Sequence, residues 1–302
     1  MKPKTLICIV GPTAIGKTAL GIKLAQHYST EIISADSRQF YREISIGTAK
    51  PNNLELASVK HHFINSHSVS DVVSVGSFEK EALKVIDTLF KTNQTVVMVG
   101  GSGLYIKAVL EGFDELPTVN PEIRTQLNKE LQDFGIIELQ KQLAKADPIY
   151  YTQIDTQNPQ RIIRALEVIR GTSKPFSSYL SNKKNKRDFK VIKIGLNTSR
   201  EILYQQINHR VDIMMQNGLL DEVKTIQAYQ HLNALNTVGY SELFDYLDGK
   251  ITLENAVELI KQNTRRFAKR QLTWFRRDEE VKWFKPEEED KVLGFVEGVV
   301  GV

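Results

Sequence analysis

Residues Thr5 to Val10 form an unbroken apolar run rich in β-branched side chains, and it halts at the octet Gly11-Pro12-Thr13-Ala14-Ile15-Gly16-Lys17-Thr18. From Lys17 to Tyr28, Leu20, Leu24 and Tyr28 then recur at helical spacing. A buried strand feeding this loop into a helix is the layout of a phosphate-binding loop, in which backbone N–H groups and the helix N-terminus surround phosphate oxygens. Lys17 adds a positive charge there, and Thr18 offers a hydroxyl able to hold Mg²⁺. The octet does not say which phosphate compound is bound.

The neighbouring segments extend the same pattern. Glu31 to Ala35 reads as a second buried strand ending at Asp36, and Thr95 to Val99 as a third ending at Gly100-Gly101, with a helix over Ser77 to Phe90 between them. Val191 to Leu196 is a further strand of this type. Strands that are apolar throughout and alternate with helices predict an α/β fold, a parallel sheet covered by helices on both faces, with ligands at the carboxyl ends of the strands. Across 302 residues, 41% of them apolar, there is material for two lobes. Between Phe113 and Lys190 the pattern turns polar and helix-like. The expected division is therefore a catalytic core of residues 1–112 and 191–302, with 113–190 as an inserted all-helical lobe. Past the insert, a helix from Arg200 to Asn217 closed by Gly218 and a long basic helix from Leu253 to Arg277 are expected.

Charge and cysteine usage narrow the function classes. The 40 basic and 36 acidic side chains leave a net +4, so a nucleic-acid partner must be argued from local clusters. Arg265 to Arg277 carries six Lys or Arg and no acid, interleaved with Phe267, Trp274 and Phe275, while Lys183 to Lys190 carries five basic residues against Asp188. On a helix, such aromatics pack inward as readily as they meet RNA. The single cysteine, Cys8, excludes an intramolecular disulfide framework and a cysteine-built zinc site, and fits a reducing compartment. With no run of eighteen apolar residues, a cytoplasmic chain without a membrane partner is expected.

Several motifs separate the reaction classes. An NTPase ordinarily ends a later strand in a carboxylate that helps to hold the metal, but Val96 to Val99 runs into Gly100-Gly101-Ser102-Gly103. Asn185-Lys186-Arg187-Asp188 resembles a guanine-reading motif yet follows a polar stretch, and Asp133-Phe134-Gly135 lacks the companion loops of a protein kinase. Asp36, at the ligand edge of the sheet and followed by Ser37, Arg38 and Gln39, is placed to act as a general base; a metal-shell or loop-capping aspartate is the alternative. His61 and His62 are adjacent and face different ways on a strand or helix, which favours structure over metal ligation. In Gln160-Arg161-Ile162-Ile163-Arg164 the arginines lie three apart on one helical face, suited to phosphates or to an ion-pair network.

Taken together these stretches resemble the tRNA dimethylallyltransferase family, also called tRNA isopentenyltransferases. The resemblance runs through the phosphate loop, Glu31 to Pro51 with its Ile46-Gly47-Thr48-Ala49-Lys50-Pro51 ending, Gly100 to Gly112, Gln160 to Val168, Val238-Gly239-Tyr240 and Thr264 to Arg276. It implies a P-loop NTPase-like core whose Gly11–Thr18 loop holds the diphosphate of dimethylallyl diphosphate, in keeping with the missing carboxylate. It further implies that Asp36 accepts a proton from an adenine N6 amine beside the anticodon, with Lys17, Ser102 and Arg210 completing the catalytic set and Mg²⁺ on Thr18. Contacts to the tRNA anticodon stem-loop map onto Asp36 to Gln39, Ser102, Arg124 and Gln160 to Arg164. The acceptor base lies within a stacked loop, so it has to be flipped out to react. The family pattern is not matched everywhere: Ser102 stands where Thr is usual, Lys60 where Pro often precedes the histidines, and Phe40 where a smaller aliphatic residue is found. A monomer of the bacterial type, without the eukaryotic zinc-finger tail, is expected. An adenylate prenyltransferase, a small-molecule P-loop kinase and a non-catalytic RNA-binding module are the competing readings.

Overall fold

The apolar runs become the middle of a sheet because each is flanked by another. The computed structural model describes residues 3–181 and 185–301. Among these, Thr5–Val10 (β1), Ile32–Ser34 (β2), His61–His62 (β3), Thr95–Val99 (β4), Lys190–Leu196 (β5) and Lys282–Phe284 (β6) form one parallel sheet in the order β3-β2-β4-β1-β5-β6. In the centre Ile7 lies opposite Val97 on one side and Ile192 on the other. Edge strands β3 and β6 are short and were not anticipated from the residue pattern.

The helices, in chain order, are Lys17–His27 (α1), Asn53–Ser58 (α2), Val75–Leu89 (α3), Gly103–Glu111 (α4), Pro121–Ala146 (α5), Pro148–Gln153 (α6), Pro159–Thr172 (α7), Arg200–Gln216 (α8), Leu219–Thr225 (α9), Tyr240–Leu247 (α10), Leu253–Phe275 (α11) and Glu289–Val300 (α12). The period-two alternation of β1 sends Leu6, Cys8 and Val10 to one face, against Phe78, Ala82 and Ile86 of α3 and Val109 of α4. Ile7 and Ile9 go to the other, against Leu20 and Leu24 of α1, Ile207 of α8 and Val296 of α12. Each fully buried aliphatic side chain of this kind contributes about 1.5–3 kcal/mol. Burial also pushes the Cys8 thiol up to about 12, so it packs as an inert apolar group. A third core, built around Tyr240, Leu235 and Ile44, gathers α8 to α11 and the segment that follows β2.

The chain divides into two compact units. One runs to Glu111 and resumes at Lys186; the other spans Gly112–Asn185. The return crossing thus comes a few residues earlier than the change of sequence pattern suggests. Arg187 is the reason: its guanidinium pairs with Glu79 at 2.7 Å and donates to the Val109 and Ala108 carbonyls at 2.9 Å, all within the first unit. Of the basic cluster from 183 to 190, Lys183 and Lys184 lie outside the described residues.

The second unit packs α5 against α7, with Leu127, Leu139, Leu143, Ile162, Ile163 and Leu166 at its centre. Within α5, Gly135 takes φ 75° and ψ 176° and breaks the helix into two arms, so Asp133-Phe134-Gly135 marks a kink. No helix among the described residues is long and apolar enough to cross a membrane.

Candidate active site

The loop after β1 is shaped by close packing and by left-handed backbone. A side chain on Gly11 would meet the Leu196 carbonyl at 2.7 Å, and Gly16, at φ 93°, caps the N-terminus of α1. Residues Thr13 to Thr18 curl around a polar cavity of about 310 Å³. Inside it the Lys17 ammonium donates to the Pro12 carbonyl at 2.7 Å. Burial pulls the Lys17 pKa down to about 8, with Asp36 opposing and Arg210 reinforcing that shift. The Thr18 hydroxyl has no protein partner among the described residues.

Asp36 follows β2 and lines both this cavity and a neighbouring one of about 540 Å³. Its Oδ1 accepts the Arg38 backbone N–H at 3.0 Å, so it caps its own loop while facing the cavities. The loop is tied down from behind. Ser102 Oγ accepts the Ser37 N–H at 3.0 Å and donates to Ser37 Oγ at 3.2 Å, and the Ser102 N–H reaches the Ala35 carbonyl at 3.3 Å. Gln39 Nε2 donates to the Thr48 and Ala49 carbonyls at 3.2 Å each.

Arg210, on α8, also lines both cavities. Its guanidinium makes no hydrogen bond among the described residues, and burial lowers its pKa, with Glu55 offsetting in part. A shielded cation without a partner beside a ring of backbone N–H groups is an electrostatic seat for an anion. Thr13, Asp36, Thr48, Ala49 and Arg210 are common to the two cavity walls, so the aspartate and the arginine sit where the two spaces adjoin. The larger cavity is bordered by Phe267, Arg270 and Trp274 of α11, with Trp274 38% exposed.

The anticipated residues do not all keep free functional groups. Arg38 spends its guanidinium on the carbonyls of Asn233, Ala234 and Asn236 at 2.9–3.2 Å, which makes it a brace for the third core. In the second unit, Ile162 and Ile163 are fully buried, so their side chains serve that core and present nothing to a phosphate. Arg124 and Arg164 share the buried carboxylate of Glu167 at 3.1 and 3.0 Å, and Arg124 also reaches Gln160 Oε1 at 2.9 Å. Arg161 lies on the exposed face. The histidines have structural partners: His62 Nε2 meets Glu31 Oε2 at 2.5 Å and His61 Nδ1 meets the Val59 carbonyl at 2.8 Å.

Sequence reading missed Glu222 altogether. Its carboxylate accepts the consecutive N–H groups of Ser45, Ile46 and Gly47 at 2.8–3.1 Å and the Tyr240 hydroxyl at 2.6 Å. Burial first, then Glu222, pushes the Tyr240 phenol well above its ordinary range, so it stays a donor. Gly47 is required because a side chain there would meet the Tyr240 ring at 2.6 Å. This clasp holds Thr48 and Ala49 in the shared cavity wall. Glu222→Ala is expected to destabilise the protein by roughly 2–3 kcal/mol, because it strands several donors that the carboxylate satisfies. Urea denaturation measures this, and a loss under about 0.5 kcal/mol would be the size of an ordinary surface substitution.

The family model described as IPP transferase matches residues 39–278. The chain belongs to the tRNA dimethylallyltransferase family. A tRNA dimethylallyltransferase of Christiangramia forsetii is 56% identical over 98% of both chains, and one of Flavobacterium johnsoniae is 55% identical over 93% of both. The crystal structure of the full-length tRNA isopentenylpyrophosphate transferase of Bacillus halodurans is 36% identical and superimposes with a TM-score of 0.73 over 99% of this chain and 97% of that one. A eukaryotic dimethylallyltransferase acting on tRNA gives 0.76 at 27% identity, covering 94% of this chain and 74% of its own. The parallel sheet and its surrounding helices are those of a P-loop NTPase-like fold, as tRNA isopentenyltransferases have.

Proposed function

We propose that this chain transfers the dimethylallyl group from dimethylallyl diphosphate to N6 of the adenosine immediately 3′ of the anticodon, in tRNAs reading U-initial codons, with release of diphosphate. The observation that carries the reading is the pair of adjoining cavities with Asp36 and Arg210 in both walls. The smaller one, polar and ringed by the Gly11–Thr18 loop, suits the donor's diphosphate; the larger, bordered by Phe267 and Trp274, suits a flipped adenine. Asp36 then takes the N6 proton as that nitrogen bonds to the allylic carbon and the carbon–oxygen bond to diphosphate breaks. Lys17 and Arg210 stabilise the charge that develops on the leaving oxygen.

Mg²⁺ fits the donor set. Among the described residues no group of three or more His, Cys, Asp or Glu is placed to hold a metal ion, and Thr18 offers one hydroxyl. Mg²⁺ keeps several waters and takes substrate phosphate oxygens, so a sparse protein contribution of this kind suffices. Bound there, it would supply charge neutralisation to the departing diphosphate. On this reading the enzyme acts as a cytoplasmic monomer; the cations of α11 in the first unit meet tRNA phosphates, and in the second unit Arg124, Gln160, Arg161 and Arg164 supply contacts of their own to the tRNA, led by the exposed Arg161.

The test incubates the protein with Mg²⁺, dimethylallyl diphosphate and unmodified tRNA, with AMP as a parallel acceptor, followed by nuclease digestion and mass spectrometry. Prenylated adenosine from tRNA alone is the expected result. Product from AMP and not from tRNA would move the chain to the adenylate prenyltransferases, and no product from either would sink the reading.

A further inference from the structure

Strand β4 ends in glycines where an NTPase has a carboxylate, and the structure gives those glycines a different purpose. A side chain on Gly101 would run into Gln271 Nε2, and one on Gly103 into Trp274 Nε1. Gln271 and Trp274 lie three residues apart on α11, hence on one face, so the bare backbone after β4 admits that face. Gln271 is 6% exposed, among the few buried polar side chains of the chain. Both ends of its amide are engaged. Oε1 accepts the Thr13 backbone N–H at 2.8 Å, and Nε2 donates to the Gly101 carbonyl at 3.0 Å. The amide orientation follows from its partners, because only the oxygen can accept from an N–H and only the nitrogen can donate to a carbonyl.

We propose that Gln271 is a positioning residue for prenyl transfer, locking the donor-binding loop to the loop that carries Ser102 and thereby fixing Asp36 relative to the leaving diphosphate. The inference rests on the function proposed above. The linkage is continuous: Thr13 to Gln271, Gln271 to Gly101, the next residue Ser102 to Ser37, and Ser37 is adjacent to Asp36. It also commits the Thr13 N–H to protein, so the diphosphate is cradled by the N–H groups further along the loop. Alignment of a nucleophile with its electrophile is sensitive to shifts of about 1 Å, worth on the order of 10²-fold in rate. A loosened link between the two loops therefore lowers kcat and leaves each substrate's own binding contacts in place.

Two substitutions of similar size test this. Gln271→Met removes both hydrogen bonds. Gln271→Glu keeps the acceptor for Thr13 but can donate to the Gly101 carbonyl only while protonated. Burial and the facing carbonyl both favour that neutral form. The charged side chains and the histidine lining the two cavities are Lys17 at the loop after β1, Asp36 and Arg38 after β2, Lys50, Glu55 on α2, His61 on β3, Arg210 on α8 and Arg270 on α11 itself. Dividing the variant's activity by that of the unsubstituted enzyme at each pH removes their own titration. The expected result for Gln271→Met is a kcat lower by about 10–100-fold per donor-binding site, counted by donor titration, with KM for donor and tRNA within about threefold. For Gln271→Glu, the ratio to the unsubstituted enzyme is expected to be highest at the acid end, near pH 5.5, and to fall steadily toward about pH 9 as the carboxyl ionises. A pH-independent ratio would overturn the proposal, as would a Gln271→Met loss fully explained by fewer donor-binding molecules. If Gln271→Met does not fold, the Gln271→Glu profile decides alone, since its protonated form retains both bonds. Failure of the unsubstituted enzyme to prenylate tRNA refutes the proposed function instead.

Discussion

Asp36→Asn is expected to lower kcat for prenyl transfer by about 10³-fold, within the range of roughly 10²–10⁴-fold that a general base supplies. The substitution is chosen for what it keeps. Asparagine retains the Oδ1 acceptor that caps the Arg38 N–H at 3.0 Å, so the loop and its ties to Ser102 should stay in place. What it loses is the ability to take the N6 proton. Single-turnover kinetics with saturating donor and tRNA measure the chemical step directly. An Asp36→Asn enzyme retaining more than about a tenth of the rate would reduce Asp36 to a loop cap, the alternative its sequence context allows. Asp36→Ala removes cap and base together, so a loss in Asp36→Ala alone assigns the effect to structure.

How much of this was legible in the residues depends on whether the determining contacts are local. The passage from β1 through the Gly11–Thr18 loop to α1 is written in one stretch of chain, and the expected helix from Lys17 to Tyr28 is observed as Lys17–His27. Asp36 was findable because it ends an apolar run at the carboxyl edge of the sheet. Strands β3 and β6 were not, since two or three residues such as His61-His62 carry no usable alternation and owe their pairing to the sheet beside them. In Gln160 to Arg164 the shared face of the arginines was legible, and Arg164 does join an ion-pair network on Glu167, but naming Ile162 and Ile163 among the RNA contacts passed over the inward helical face they form with Leu166, a period the residues do contain. Glu222 and Gln271 were out of reach for another reason. Glu222 acts on residues more than 170 positions away and Gln271 on Thr13 at a separation of 258, and nothing in local spacing marks either. The one available hint was negative, the glycines after β4 standing where a carboxylate was expected.

Lys17→Met is expected to lower kcat by on the order of 10²–10³-fold, the cost of removing one preorganised group from a developing oxyanion. The unsubstituted enzyme should also show the titration of this lysine. Burial brings its pKa down to about 8, so below that pH it is the cation that receives a diphosphate, and above it the charge is lost. The profile of kcat/KM for the donor reports the free enzyme and should therefore fall on its alkaline side from about pH 8. Once diphosphate is bound, its negative charge favours the protonated lysine, so the corresponding limb of kcat should move to higher pH. Lys50 is a competing source of the same limb, since burial brings its ammonium to about 8 as well. Lys17→Arg separates them, because a guanidinium does not titrate in this range. Disappearance of the alkaline limb in Lys17→Arg assigns it to Lys17. Its persistence would assign it to Lys50, whose ammonium donates to the Tyr41 carbonyl and Asn65 Oδ1 at 2.5 Å each and so holds the loop that Glu222 clasps from its other side.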